Sequence, residues 1–138
     1  MTFTQGISEI VLVVQDVRTA ARFYQDVVGL ALEKDGDDGY AWFWTGTPGR
    51  SQRIGLLKGP LAFEEHSPLP EGERWGCVHY AFNVPREKLE EAVAQVRRRG
   101  VAVYGPGQIG WMKARVYYFY DPDGNLLEFW SPDPSSKP

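Results

Sequence analysis

The sequence predicts an α+β fold built from two βαβββ modules, on two observations. The order of strand-like and helix-like segments in the first half of the chain occurs again in the second half, offset by about 70 residues. In each half the helical segment follows the first strand and ends at a glycine, Gly29 or Gly100. One helix can cover only one face of a four-stranded sheet, so each module leaves a face open. If the modules form one curved mixed sheet, those open faces line a shared cleft.

The first module covers residues 5–58. Its first strand, predicted at 7–14, is rich in β-branched residues. Helical spacing follows over 17–28, behind Asp16 as the capping candidate. Three further strands, separated by turns that contain glycine, are predicted at 30–34, 40–45 and 52–57.

Residues 59–76 contain prolines, glycines and charged residues, and we expect a linker loop there. The second module covers 77–132 and begins with a strand at 77–84. A helix with one apolar face is predicted over 87–99. The remaining strands are predicted at 101–104, 115–120 and 126–131, with a loop over 105–113.

The most informative stretch is the hairpin V-Y-Y-F-Y-D-P-D-G-N-L-L-E-F-W-S-P at 116–132. Pro122 and Gly124 suit a turn, because one fixes φ and the other tolerates positive φ. Strand alternation then places Glu128 mid-strand on the face of Leu126 and Trp130. A carboxylate in that position is costly to bury unless it is paired, protonated or bound to a metal.

Two more polar residues interrupt apolar strands at matching places of the repeat, Glu9 in module 1 and His79 in module 2. Structural roles are open for each of the three. A lone histidine such as His79 more often lies in a core and donates one hydrogen bond. Glu9 could be partly solvated near a strand end. Glu128 could neutralise a buried arginine such as Arg53 or Arg115.

Composition narrows the class of protein. A net charge of −3 gives no electrostatic case for nucleic acid or an anionic membrane. The single cysteine excludes an intrachain disulfide framework. The sequence shows no apolar run of the roughly 20 residues that a membrane helix needs and no secretory signal, so we expect a cytoplasmic protein. An aromatic content of 14% favours a ring-lined pocket or interface, with a ring-rich core as the alternative.

Four stretches carry a resemblance to a known family: I-S-E-I-V-L-V-V-Q-D-V at 7–17, A-R-F-Y-Q-D-V-V-G-L at 21–30, H-Y-A-F-N-V at 79–84 and F-Y-D-P-D-G-N-L-L-E-F at 119–129. The chain resembles the vicinal oxygen chelate superfamily, which includes glyoxalase I, bleomycin-resistance proteins, fosfomycin-resistance enzymes and extradiol dioxygenases. The resemblance implies two βαβββ modules forming a half-barrel cleft, commonly in a homodimer, with a divalent metal on the cleft face.

Carried over by position, the resemblance implies metal ligands at Glu9, His79 and Glu128. The matching position in the last strand of module 1 falls near Gly55, which offers no ligand, so a three-ligand site with open positions is expected. Two carboxylates and one imidazole suit Mn²⁺, Fe²⁺, Ni²⁺ or Zn²⁺. The usual oxygenase triad has two histidines, so Glu9 makes extradiol cleavage less expected.

Neighbouring residues are predicted to complete a pocket. Tyr118 or Tyr120 could act as an acid or base, or hydrogen-bond a substrate oxygen, although packing within the sheet is an equal alternative. Tryptophan rings are predicted to form an apolar wall and arginines to anchor an anionic group. The predicted lining residues are Trp42, Trp44, Arg53, Cys77, Arg115 and Trp130.

The leading hypothesis is a divalent-metal-dependent lyase, isomerase or ring-cleaving oxygenase that acts on a small, partly apolar substrate with adjacent oxygens. The alternative is a metal-free protein of the bleomycin-resistance type that sequesters a planar aromatic drug or metabolite. A purely structural dimer gives no reason for three polar residues on one inner face. In each case exposed sheet edges predict a homodimer.

Overall fold

The computed structural model describes residue 3, residues 5–73 and residues 76–133, and it contains two four-stranded mixed sheets. The chain divides into two compact units, Met1–Trp75 and Gly76–Pro138, which we call unit 1 and unit 2. Each unit has the element order βαβββ and one sheet of its own. The predicted α+β fold class is therefore confirmed.

The sheet of unit 1 has the order β1-β4-β3-β2, in which β1 and β4 are parallel and the other pairs antiparallel. Its strands are β1 (Glu9–Val13), β2 (Ala31–Asp35), β3 (Tyr40–Trp44) and β4 (Arg53–Leu57). Helix α1 (Val17–Arg22) follows β1 and begins where the Asp16 side chain accepts a hydrogen bond of 2.9 Å from the Thr19 backbone N–H.

The second half of the predicted 17–28 helix is a π-helical segment, Phe23–Val28. It ends at Gly29, whose φ of 86° is the left-handed conformation that glycine adopts freely. Tyr24, within this segment, is fully buried together with Phe43 of β3. The helical prediction is confirmed in extent, and the wider π turn is the feature that apolar spacing did not reveal.

The sheet of unit 2 has the equivalent order β5-β8-β7-β6, with β5 and β8 parallel. Its strands are β5 (His79–Asn83), β6 (Tyr104–Ile109), β7 (Ala114–Tyr120) and β8 (Leu126–Pro132). Helix α2 (Leu89–Arg98) comes after β5 and buries the apolar stripe Leu89, Val93 and Val96. One 3₁₀ turn, Arg86–Lys88, precedes it, so the predicted helix start at 87 was slightly early.

The predicted positions of a strand at 101–104 and a loop at 105–113 were wrong. Strand β6 begins at Tyr104 and runs through Gly105, Pro106 and Gly107. Tyr104 and Gly107 pair with Tyr118 and Val116 of β7, and the register shifts between these two pairs. An added Cβ at Gly105 would lie 2.9 Å from the Val116 carbonyl oxygen. The glycines thus permit close approach of two strands, although their sequence is typical of a loop.

Between β4 and β5, the described residues of the predicted 59–76 linker contain one 3₁₀ turn, Glu64–His66, and no strand. Residues 74 and 75 of that prediction lie outside the described residues. Over the described ranges, no helix has the length and apolar character required to cross a membrane.

Candidate functional site

Strand pairing shows which positions of the two units are equivalent. In unit 2, His79 lies two positions before the β5 residue that pairs with Glu128. In unit 1, Glu9 lies two positions before the β1 residue that pairs with Gly55. Gly55 is therefore the counterpart of Glu128, as the sequence alignment predicted. Its lack of a side chain leaves unit 1 without the carboxylate that unit 2 has.

His79 and Glu128 meet on the sheet of unit 2. The His79 Nε2 and Glu128 Oε2 atoms are 3.1 Å apart, and the His79 and Glu128 side chains are 50% and 6% exposed, respectively. The partner of the mid-strand carboxylate is therefore a histidine, whereas the sequence had left open an arginine.

The other ring nitrogen limits the protonation states that this pair can adopt. His79 Nδ1 lies 3.0 Å from the Leu126 carbonyl oxygen, which can only accept a hydrogen bond, so Nδ1 carries a proton. In the neutral ring Nε2 then has a lone pair directed at a carboxylate oxygen. Two such acceptors 3.1 Å apart repel each other unless a proton or a cation lies between them. The arrangement therefore suits either a shared proton or a metal ion.

Burial and the His79 contact act in opposite directions on the Glu128 carboxyl group. Burial raises the pKa of Glu128, and the interaction with His79 opposes that rise. A buried carboxylate with one imidazole neighbour is stabilised further by any additional positive charge. The pair therefore has a physical reason to attract a cation.

Tyr118 and Leu126, which adjoin the pair, also line a cavity. Tyr118 is directly opposite Glu128 on β7, and its ring centroid lies 6.1 Å from that of His79. Burial, together with the Glu128 charge, raises the pKa of Tyr118, so its hydroxyl is kept as a hydrogen-bond donor. An open cavity of about 430 Å³ is lined by Tyr104, Tyr118, Tyr120 and Leu126.

In unit 1, the counterpart of His79 is already neutralised. Glu9 Oε1 accepts a 2.9 Å hydrogen bond from Arg53 Nη2, while Arg53 Nη1 donates to Glu33 Oε1 at 2.9 Å. The guanidinium carbon also lies 5.2 Å and 5.8 Å from the ring centroids of Trp42 and Trp44. One arginine therefore pairs with two carboxylates and lies over two indole rings, and we name these five residues the Arg53 cluster.

Trp42 also occupies the space above Gly55. An added Cβ at Gly55 would come within 2.7 Å of the indole ring, so any larger residue there requires the ring to move. Tyr118 is the register counterpart of Trp42, because each lies opposite the equivalent β4 or β8 position. Unit 1 thus has Trp42 opposite Gly55 at the positions where unit 2 has Tyr118 opposite Glu128.

The residues predicted to line the pocket also included Arg115, Cys77 and Trp130. Arg115 Nη2 lies 3.3 Å from Glu90 Oε1 on α2, and strand alternation puts it on the opposite face of β7 from Tyr118. Cys77 is exposed and its Sγ donates to the Asp123 carbonyl oxygen over 3.3 Å. The Trp130 indole N–H is buried and has no hydrogen-bond partner in the part of the chain that the structure describes.

No group of three or more His, Cys, Asp or Glu side chains placed to hold a metal ion occurs among residues 3, 5–73 and 76–133. The three-ligand set of Glu9, His79 and Glu128 therefore stays a prediction, with two of its members in contact. Sequence reasoning missed Glu33 and the Tyr104 side of the cavity. Glu33 was missed because the strand register shifts between Leu32 and Lys34. Tyr104 was missed because strand β6 was predicted at the wrong position.

The comparisons with known proteins agree with the fold. The family described as "Glyoxalase/Bleomycin resistance protein/Dioxygenase superfamily" matches residues 6–129. The chain is 25% identical to glutathione transferase FosA of Serratia marcescens over 90% of this chain and 79% of the relative. It is 26% identical to virulence protein STM3117 of Salmonella typhimurium over 88% of this chain and 81% of the relative.

A solved glyoxalase/dioxygenase from Nostoc punctiforme is similar to the chain with a TM-score of 0.69 and 26% identity, covering 93% of this chain and 91% of that one. The family match spans most of the sequence and includes both units. The chain therefore belongs to the glyoxalase/bleomycin resistance protein/dioxygenase superfamily.

Proposed function

We propose that the protein is a divalent-metal-dependent enzyme of the glyoxalase and dioxygenase type, with His79 and Glu128 as metal ligands. The observation that carries this proposal is the 3.1 Å approach of His79 Nε2 to Glu128 Oε2 while Nδ1 donates to a backbone carbonyl. Metal-binding histidines commonly donate their second ring N–H in this way, which fixes the tautomer and orients the ring. An imidazole nitrogen and a carboxylate oxygen suit Mn²⁺, Fe²⁺, Ni²⁺ or Zn²⁺.

Glu9 is the proposed third ligand. It occupies the position in β1 that His79 occupies in β5, but it is bound by Arg53. Its side chain is 40% exposed, so exchange of this partner requires little desolvation. We expect Glu9→Gln to weaken metal binding, and unchanged affinity would remove Glu9 from the ligand set without affecting the other two.

The chemistry would be that of a lyase, isomerase, ring-cleaving oxygenase or transferase. A divalent ion held at His79 and Glu128 supplies Lewis acidity to a substrate with adjacent oxygens. Tyr118 lies opposite Glu128 with its hydroxyl protonated, so it can donate a hydrogen bond or a proton to a substrate oxygen. The cavity beside it is lined by three phenol rings and a leucine, which suits the partly apolar portion of a small substrate.

Metal content measured by inductively coupled plasma mass spectrometry tests this proposal. Chelator-treated protein is offered each of the four ions, and the wild type is expected to retain about one equivalent. His79→Ala and Glu128→Ala are expected to lose it. His66→Ala is the matched control, because His66 is an exposed histidine of unit 1. Unchanged metal affinity in both site variants would contradict the proposal.

A second candidate function is metal-free binding of a planar aromatic compound, and the cavity of Tyr104, Tyr118, Tyr120 and Leu126 favours it. Aromatic rings in proteins stack on one another at centroid separations of about 4.5–7 Å. Quenching of tryptophan fluorescence by planar ligands would then persist in the presence of chelator. Tyr104→Ala should weaken that quenching without changing metal content, which separates the two candidates.

The proposed assembly is a homodimer. Strand β2 is at the edge of its sheet and every one of its residues is exposed. Proteins usually cover or modify such edges, and a second copy of the chain is a common cover. Light scattering at micromolar concentration is expected to give twice the chain mass, whereas a monomer mass would contradict the proposal.

A further inference from the structure

The turn between β7 and β8 contains a buried polar pair that reaches beyond the turn itself. Asp121 and Asn125 are each 5% exposed. Asp121 Oδ1 accepts hydrogen bonds from the backbone N–H groups of Asp123 at 3.0 Å and Asn125 at 2.8 Å. Asp121 Oδ2 accepts a third, at 2.8 Å, from the Asn125 side-chain amide. The first two bonds stabilise the turn, and the third orients a side chain.

The orientation of the Asn125 amide is settled by chemistry. Its Nδ2 must donate, because its neighbour is the acceptor-only Asp121 carboxylate. Its Oδ1 therefore points away and accepts a 3.0 Å hydrogen bond from the Val78 backbone N–H. This bond connects the turn to the residue that precedes His79 at the start of β5.

Leu126 makes two further hydrogen bonds next to the His79 imidazole. The Leu126 N–H, directly after Asn125, donates to the Val78 carbonyl oxygen over 3.0 Å. The Leu126 carbonyl oxygen accepts from His79 Nδ1, also over 3.0 Å. Val78 is therefore held both by the Asn125 amide, whose orientation is set by Asp121, and by the backbone of Leu126, which supplies the acceptor for the His79 ring.

We infer that Asp121 and Asn125 are positioning residues that hold His79 as the Nδ1–H tautomer, with Nε2 free for a cation. Closing the turn does not need this connection, because the Asp121 N–H already bonds the Asn125 carbonyl oxygen at 3.0 Å. His79 is half exposed, so solvent competes for its ring nitrogens unless the backbone acceptor is fixed. The expected effect on metal binding rests on the proposed function, whereas the expected effect on the His79 tautomer does not.

The tautomer can be measured without any metal. The chain has two histidines, so long-range ¹H–¹⁵N spectra of chelator-treated protein at pH 8 show His79 beside His66 as an internal reference. The wild type is expected to show His79 protonated at Nδ1. In Asn125→Ala we expect a mixture with the Nε2–H form, and metal binding weakened about 10–100-fold, as for other outer-shell partners of metal ligands.

Exchanging the two side chains provides the rescue. The single variant Asn125→Asp places two buried carboxylates together, and it should disturb His79 at least as much as Asn125→Ala does. Adding Asp121→Asn restores a donor–acceptor pair with an oxygen left for the Val78 N–H, so the wild-type tautomer should return. Asn83→Ala, an exposed asparagine on β5, is the matched control and should change neither readout.

A folded Asn125→Ala protein that keeps the wild-type His79 tautomer would overturn the inference. If that variant does not fold, Asn125→Ser, which retains a polar group in the turn, is measured with the same expectation and the same refuting result. A changed tautomer in a protein whose wild type takes up no metal would support the positioning role and would contradict the proposed function. The two proposals are therefore distinguishable.

Discussion

Replacing Arg53 with methionine should destabilise unit 1, because that arginine pairs with both carboxylates of the Arg53 cluster. Its guanidinium donates to Glu9 and Glu33, each at 2.9 Å, and lies over Trp42 and Trp44. Methionine keeps the apolar stem and removes the charge and all the donors. Glu9 and Glu33 would then lose the cation with which both of them pair.

The magnitude follows from exposure and contact type. The side chains of Arg53, Glu9 and Glu33 are 31%, 40% and 25% exposed, so each ion pair contributes about 0.2–1 kcal/mol. Each cation–π contact adds about 0.5–1 kcal/mol. One guanidinium makes all four contacts, so the contributions do not add fully, and we expect a loss of about 2 kcal/mol.

Urea unfolding followed by tryptophan fluorescence measures this loss, with Trp42 and Trp44 as reporters in the cluster itself. Arg50→Met is the matched control, because Arg50 is an exposed arginine of the same unit. High salt should reduce the difference between Arg53→Met and the wild type, since at 1 M ionic strength charges are screened over about 3 Å. A loss within about 0.5 kcal/mol of the Arg50→Met value, the usual limit for surface substitutions, would refute the reasoning.

Three further predictions concern the register positions of the site. Gly55→Ala should destabilise by about 1–3 kcal/mol and shift tryptophan emission, because its Cβ would meet the Trp42 ring at 2.7 Å; an unchanged unfolding curve would mean that the ring moves freely. Burial raises the pKa of Glu128 in the folded protein. In chelator-treated protein, the protonated Glu128 side chain therefore contributes fully to folding stability at a pH below the ordinary pKa range of a carboxyl group, and this contribution is lost as the pH rises through the raised pKa of the folded state. Glu128→Gln should flatten that part of the pH–stability curve, and an unchanged slope would contradict the assignment. Tyr118→Phe should retain metal and lower turnover by about 10²-fold or more if the hydroxyl donates to substrate; equal turnover would exclude that role.

The repeat and the hairpin were predictable because both depend on local signals. The turn at Pro122 and Gly124 is present, with Gly124 at a φ of 82°. Strand alternation correctly placed Glu128 away from Leu127 and Phe129, which are buried in the core. The same alternation placed His79 on the face of Glu128, and the structure shows the two side chains in contact.

Other features depend on contacts that a single sequence does not encode locally. The Gly105-Pro106-Gly107 run is typical of a loop, yet it forms β6 because its glycines fit closely against Val116. Arg53 was predicted to anchor an anionic substrate group, but it already pairs with two carboxylates. Which partner a charged side chain takes depends on register, and here the register brings both acids to one guanidinium.

The two units show how a duplicated scaffold supports unequal chemistry. At equivalent register positions, unit 1 has a glutamate where unit 2 has His79, and Gly55 where unit 2 has Glu128. Each unit must still stabilise carboxylate charge on its sheet, at Glu9 and Glu33 in unit 1 and at Glu128 in unit 2. Unit 1 does so with the permanent charge of Arg53, because a guanidinium stays protonated at all ordinary pH values. Unit 2 has an imidazole whose outward nitrogen is held as an acceptor. The second arrangement leaves an acceptor nitrogen for an exchangeable cation. We therefore expect cation-dependent chemistry to be more sensitive to substitutions of His79 and Glu128 than to substitutions of Glu33, Trp42 and Trp44.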